Sequence, residues 1–208
     1  MALSHTKAMP NSVSRRIKAR NSSTVSVGTS ACCCRKPSRT AGRAIAGAVD
    51  YHSHLSFEGH RDLWDGEAEA TEQGYLTDLL STRALDFIGR HAGRRPFLLS
   101  LHYTAPHWPW ETRDEAEESQ RIGSRIHHVD GGALPVYQRM IHQMDEGIGR
   151  VLAALDAHGI ADDTLVVFTS DNGGERFSDT WPFVGKKMDL LEGGLRVPLL
   201  ARWPTRIP

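Results

Sequence analysis

Apolar residues along the chain form two patterns, helical stripes and short unbroken runs, and the two alternate. Residues 75–91 carry Leu76, Leu79, Leu80, Ala84, Phe87 and Ile88, which line one face of a helix, and Gly93 is placed to stop it. Residues 97–101 follow as Phe-Leu-Leu-Ser-Leu, a buried strand. The helical spacing returns over 137–158 with Tyr137, Ile141, Met144, Ile148, Val151, Leu152 and Leu155, and Gly159 ends it. Met140 and Met144 read as packing at helical spacing. Asp162-Asp163 then turn the chain into Leu165-Val166-Val167-Phe168, a β-branched run too short for a helix and typical of a buried parallel strand. Helix then strand, twice over, is the rhythm of an α/β fold with a mostly parallel sheet.

Outside these elements the pattern fails. Residues 1–47 are rich in Ser, Arg and Ala, lack any aromatic residue and hold no period, so a disordered tail is expected there, with the folded domain over 48–208. A transit peptide or non-native sequence would give a similar composition. Residues 50–74 are polar with scattered aromatics, and His52, His54 and His60 there read as surface histidines. Residues 111–132 are charged and contain glycine, an excursion or lid in which His127-His128 is solvated.

Charge adds little overall. Lys plus Arg equal Asp plus Glu at 25 each in 208 residues, which points to neither nucleic acid nor a membrane surface. The balance hides an asymmetry, because no acid occurs before Asp50 while Lys7, Arg15, Arg16, Lys18, Arg20, Arg35, Lys36, Arg39 and Arg43 are basic. No apolar stretch reaches the ~20 residues of a membrane span, and no signal-like apolar centre is visible. Nothing readable assigns a compartment. The three cysteines are contiguous, Cys32-Cys33-Cys34, and make no disulfide framework.

The candidate chemistry sits at strand ends. Beyond Phe168 comes Ser170-Asp171-Asn172-Gly173-Gly174, at the carboxyl end of a strand, where open α/β sheets place ligands. Asp171 and Asn172 offer hard oxygen, which suits Ca²⁺ or Mg²⁺. After residue 101 comes Ala105-Pro106-His107-Trp108-Pro109, in which two prolines restrict the directions open to His107. Downstream lie Lys187 and Glu192-Gly193-Gly194-Leu195-Arg196-Val197-Pro198.

These three elements, in this order, resemble the sulfatases of the alkaline-phosphatase-like superfamily. The likeness covers roughly residues 50–208. It implies a three-layer sandwich, here partial, and an incomplete alkaline-phosphatase-like fold. It also implies hydrolysis of a sulfate ester, aryl or carbohydrate, with Ca²⁺ as the metal. By the same resemblance Asp171 and Asn172 are metal ligands. Lys187, rather than Lys186, meets a sulfate or ester oxygen, because the family's lysine stands five residues before the Glu. His107 binds a sulfate oxygen or protonates the leaving alkoxide, and Arg196 fixes the turn after the glycines.

Other parts of the family pattern do not match. Family members carry Cys-x-Pro-Ser-Arg, whose Cys becomes the formylglycine nucleophile. Here Cys34-Arg35-Lys36-Pro37-Ser38-Arg39 has one residue too many, so formylglycine is not expected. No amino-terminal Asp-Asp pair follows a first strand, and no Gly-Lys-Trp-His element occurs. A family fragment lacking nucleophile, first strand and smaller carboxyl-terminal domain is expected, inactive and marginal in stability. An anion- or carbohydrate-binding pseudoenzyme is the alternative, and a metal-dependent phosphatase or phosphodiesterase a further one. Family members are mostly exported or lysosomal.

Overall fold

The structure is a computed structural model that describes residues 23–29, 43–45, 48–125 and 127–207. In chain order its elements are β1 (Ser23–Thr29), β2 (Arg43–Ile45), β3 (Trp64–Asp65), β4 (Ala68–Glu69), α1 (Leu76–His91) and β5 (Phe97–Leu101). There follow α2 (Ala116–Ile122), α3 (Leu134–Ala157), β6 (Val166–Thr169), α4 (Glu192–Leu195) and β7 (Leu199–Arg202).

Both long helices lie where the periodicity puts them. Burial follows the stripe in α1, with Leu76, Leu80, Ala84, Phe87 and Ile88 all buried. Helix α3 starts at Leu134, ahead of the expected 137, because Pro135 sits in its first turn, where no backbone N–H is needed. Gly93 and Gly159 take positive φ after the two helices.

The sheet departs from expectation in two places. The first is in the amino-terminal 47 residues, where disorder is expected and β1 and β2 are strands. Strand β1 pairs in parallel with both β5 and β2, so it occupies the inner place the missing first strand was expected to leave. Its sequence, STVSVGT, carries only two apolar residues, too few to separate from a Ser-rich tail. The five-stranded sheet runs β4-β3-β2-β1-β5, with the β2–β3 and β3–β4 pairs antiparallel.

The second departure is β6. It pairs antiparallel with β7 in a separate two-stranded sheet, and is neither parallel nor buried. Val167 is 53% exposed while Val166 and Phe168 are half-buried, the one-sided pattern of an antiparallel ribbon. An apolar run of four residues does not by itself distinguish the two cases.

Helix α1 packs on β1 and β5, and α3 packs on α1. Leu98 of β5 points away from that core and is 58% exposed, so among the described residues the layers are sheet and helices on one side, without the third layer of a full sandwich. The larger core joins α1 and α3 to loops, through Val49, Tyr51, Leu63, Tyr75, Ala105, Trp110 and Met140. Residues 50–74, read as polar, thus supply a buried Tyr51 stacked on Tyr75 at 5.4 Å. His54 is buried as well and bonds the Gly74 carbonyl, not solvent.

Candidate active site

Strand β5 delivers the chain to the loop that carries His107. That loop is closed by the His107 N–H donating to the Thr104 carbonyl at 2.8 Å, and by Tyr51 Oη donating to the His107 carbonyl at 2.9 Å. The imidazole is therefore held from its own backbone and from the core. Its Nδ1 donates to the Trp108 carbonyl at 2.8 Å, which leaves Nε2 with a lone pair.

Lys187 reaches that lone pair from the far side of the β6 turn. Its Nζ lies 2.9 Å from His107 Nε2 and donates to it. The lysine is held by its backbone N–H on the Gly174 carbonyl at 2.8 Å. Gly173 in turn donates to the Gly194 carbonyl at 2.8 Å, and Gly193 to that of Val184. A Cβ on Gly173 would collide with the Gly193 carbonyl, and one on Gly194 with the Asp189 carbonyl. The paired glycines of the two motifs let three backbone segments close on one another. Lys186 is exposed and lines a different groove with Glu175 and Asp189.

Electrostatics follow from this placement. Burial holds His107 below the usual imidazole range, and the Lys187 cation adds to that, while the Trp108 carbonyl and the Glu175 and Asp171 carboxylates oppose it. Glu175 Oε2 is 3.9 Å from Lys187 Nζ. The resting state is thus a neutral imidazole facing an ammonium, two groups that can both turn donors toward a shared anion once the imidazole takes a proton.

The other two expected residues stand close by, not in contact. Asp171 is exposed and acts on His107 through charge alone, and Asn172 is half-buried with its carbonyl taking the Ser170 hydroxyl. Neither side chain is hydrogen-bonded to His107 or Lys187 among the described residues. No three His, Cys, Asp or Glu side chains converge to hold a metal among the described residues. Two oxygen-bearing side chains fall short of the 6–8 ligands Ca²⁺ usually takes, so these residues do not make such a site by themselves. Cys34 lies outside the described residues.

Beside the His107–Lys187 pair opens a groove of about 510 Å³ lined by Trp108, Trp110, His127, Val129, Arg176 and Met188, among others. His127 stacks on Trp108 at 4.7 Å. Its neighbour His128, expected in solvent, is 2% exposed; its Nδ1 accepts from the Trp110 N–H at 3.1 Å and its Nε2 donates to Glu118 at 2.8 Å. Arg176 is committed to structure, lying over Trp110 and Phe177 and bonding the Gly131 carbonyl.

The Sulfatase family model matches residues 31–208. The chain belongs to the sulfatase family. The match takes in Cys34-Arg35-Lys36-Pro37-Ser38-Arg39 and so begins ahead of the expected domain start at 48. The chain is 39% identical over 147 residues to the steryl-sulfatase of Mus musculus, covering 66% of this chain and 22% of that protein. It is 33% identical over 144 residues to the N-acetylgalactosamine-6-sulfatase of Homo sapiens, covering 66% and 25%. Among solved structures it resembles Ps i-CgsB in complex with k-i-k-neocarrahexaose, at TM-score 0.72 and 27% identity, covering 90% of this chain and 46% of that one. The chain thus spans about a quarter of the length of these curated relatives.

Several residues around the His107–Lys187 pair and the loop behind it escape sequence reading. Tyr51 and Glu175 lie in stretches without period, and Glu111 opens a segment read as an excursion or lid. The pairing of Trp108 with His127 crosses a loop that no local spacing encodes.

Proposed function

We propose that the chain is the anion-binding part of a sulfatase catalytic domain, binding a carbohydrate sulfate ester. The observation that supports this reading is the 2.9 Å contact between Lys187 Nζ and the Nε2 of a half-buried His107, which puts a fixed cation and a titratable donor at one spot. The sulfuryl oxygens take the Lys187 ammonium, which leaves Nε2 for them. His107, once protonated, donates from Nε2 to an ester oxygen, and cleavage needs that proton on the departing alkoxide. Trp108 and His127 give the alcohol portion a flat face on which a ring stacks. The complex of Ps i-CgsB with k-i-k-neocarrahexaose and the name of the human relative favour a sugar there.

Asp171 and Asn172 contribute oxygen ligands to a divalent cation, Ca²⁺, with the remaining ligands from elsewhere. A bound cation would polarise the sulfate. The covalent step needs a nucleophile, and the extra residue between Cys34 and Pro37 argues against formylglycine at Cys34. The 208 residues therefore bind the ester without turning it over.

Calorimetry and absorbance with a chromogenic aryl sulfate in Ca²⁺ test both halves. Binding is expected without release of the phenolate. His107→Ala and Lys187→Ala should each weaken binding about tenfold to a hundredfold, the ~1.5–3 kcal/mol of a hydrogen bond to a charged group. Binding that survives both substitutions overturns the site, and turnover by the unmodified chain overturns the claim of inactivity.

A further inference from the structure

Asp50 and Glu111 are both 0% exposed. Asp50 Oδ1 accepts from the His52 N–H at 2.9 Å, the Ser53 N–H at 2.6 Å and the Ser119 hydroxyl at 2.7 Å. Glu111 Oε2 accepts from the Tyr51 N–H at 3.3 Å. The remaining oxygens, Asp50 Oδ2 and Glu111 Oε1, have no donor, although the two carboxyl groups are within hydrogen-bonding reach of each other. Two carboxylates only accept, and two buried, ionised carboxylates side by side repel. One proton between them removes both difficulties.

We propose that Glu111 is a neutral carboxylic acid in the folded chain, that it donates its O–H to the Asp50 carboxylate, and that this pair positions His107. The proton belongs on Glu111 because three donors already stabilise the Asp50 anion, against one long contact on Glu111. Burial pushes Asp50 up, but its bonds from Ser53, Ser119, Glu111 and His52 outweigh that and hold it below the usual range. Burial, and then the Asp50 charge, push Glu111 up to about 9. The other titratable groups facing the pair are Tyr51, His52 and His54 on the Asp50 loop, Tyr75 before α1 and Glu118 of α2. Arg113, two residues beyond Glu111, is committed to Asp78 and Glu146.

The link to His107 is Tyr51. Its N–H holds Glu111 and its Oη holds the His107 carbonyl, while Tyr75 Oη donates to the Glu111 carbonyl at 2.9 Å. Ionising Glu111 sets two anions against each other behind the loop that carries the imidazole. The importance of that imidazole rests on the proposed function, but every readout below is taken without an ester, so failure here is distinguishable from failure there.

The test is carboxyl-carbon NMR of Glu111 and ring-proton NMR of His107 across pH 5–10, with urea midpoints for the unmodified chain and Glu111→Gln. The Gln carboxamide donates to Asp50 and accepts from Tyr51, so it keeps the contacts and cannot ionise. Glu111 is protonated in the fold and ionised in the unfolded chain above its ordinary 4.5. Stability therefore falls as pH rises from about 4.5 to about 9 and levels off beyond. The Gln variant should lack this part of the slope, the histidine contributions being common to both chains. The His107 resonance should move in step with Glu111 near pH 9, well above its own titration, and should not do so in Glu111→Gln. Glu111 titrating near 4.5, equal urea slopes in the two chains, or a His107 resonance that stays still while Glu111 ionises would each overturn the proposal.

Discussion

His107 takes its properties from three neighbours, one adjacent in the chain and two that sequence spacing does not connect to it. Trp108 fixes the tautomer through its carbonyl, Tyr51 holds the backbone, and Lys187 occupies Nε2. Because the Lys187 cation contributes to the depressed protonation of His107, Lys187→Met should raise its pKa, read by ring-carbon NMR. An unchanged titration would mean that the ammonium is not held against the ring. The same depression makes protonation disfavour the fold, so His107 contributes a loss of stability as pH drops below about 6.5. The count to Glu192 singles out Lys187 by resemblance, and Lys187 is the lysine that lies against His107. Glu111 was not legible, since its burial is set by a loop 60 residues away in sequence.

The helices were legible from stripes of six or seven apolar residues, but the packed face of α3 was legible only in part, since Ile141 is 37% exposed while Gln143 and Gly147 are buried. Phe87 shows what the face of α1 does. It is 1% exposed and meets Phe97 edge-on at 5.3 Å, clamping α1 to β5. Phe87→Ala should cost ~3–5 kcal/mol, measurable by urea unfolding; a loss below 1 kcal/mol would mean that α1 is not seated on the sheet. Strands were harder. The four-residue apolar run 165–168 that enters β6 fits a buried parallel strand and a one-sided ribbon equally, and the Ser-rich β1 resembles a tail. The pairing predicts different dynamics for β5 and β6. Strand β5 is bonded to β1 and covered by α1, whereas β6 has β7 alone as a strand partner among the described residues. Amides of 166–169 should exchange faster than those of 97–101. Equal protection would contradict this account of the sheet.

At the scale of the molecule, two motifs far apart in sequence meet over one side of the fold. The larger core beneath them holds the His107 loop, while the Lys187 segment is held by backbone hydrogen bonds between glycines. Around the latter, Trp181, Met188 and Leu190 are 83%, 93% and 89% exposed, so little apolar packing holds that segment. The fold thus presents the anion pocket on its less consolidated half. The direct test is an NMR titration of the chain with inorganic sulfate, following the His107 ring nitrogens with and without Lys187→Met. Sulfate should raise the His107 pKa, binding should weaken as pH rises through that titration, and the substitution should remove most of the response. A His107 ring that ignores sulfate while the chain remains folded would contradict the anion pocket.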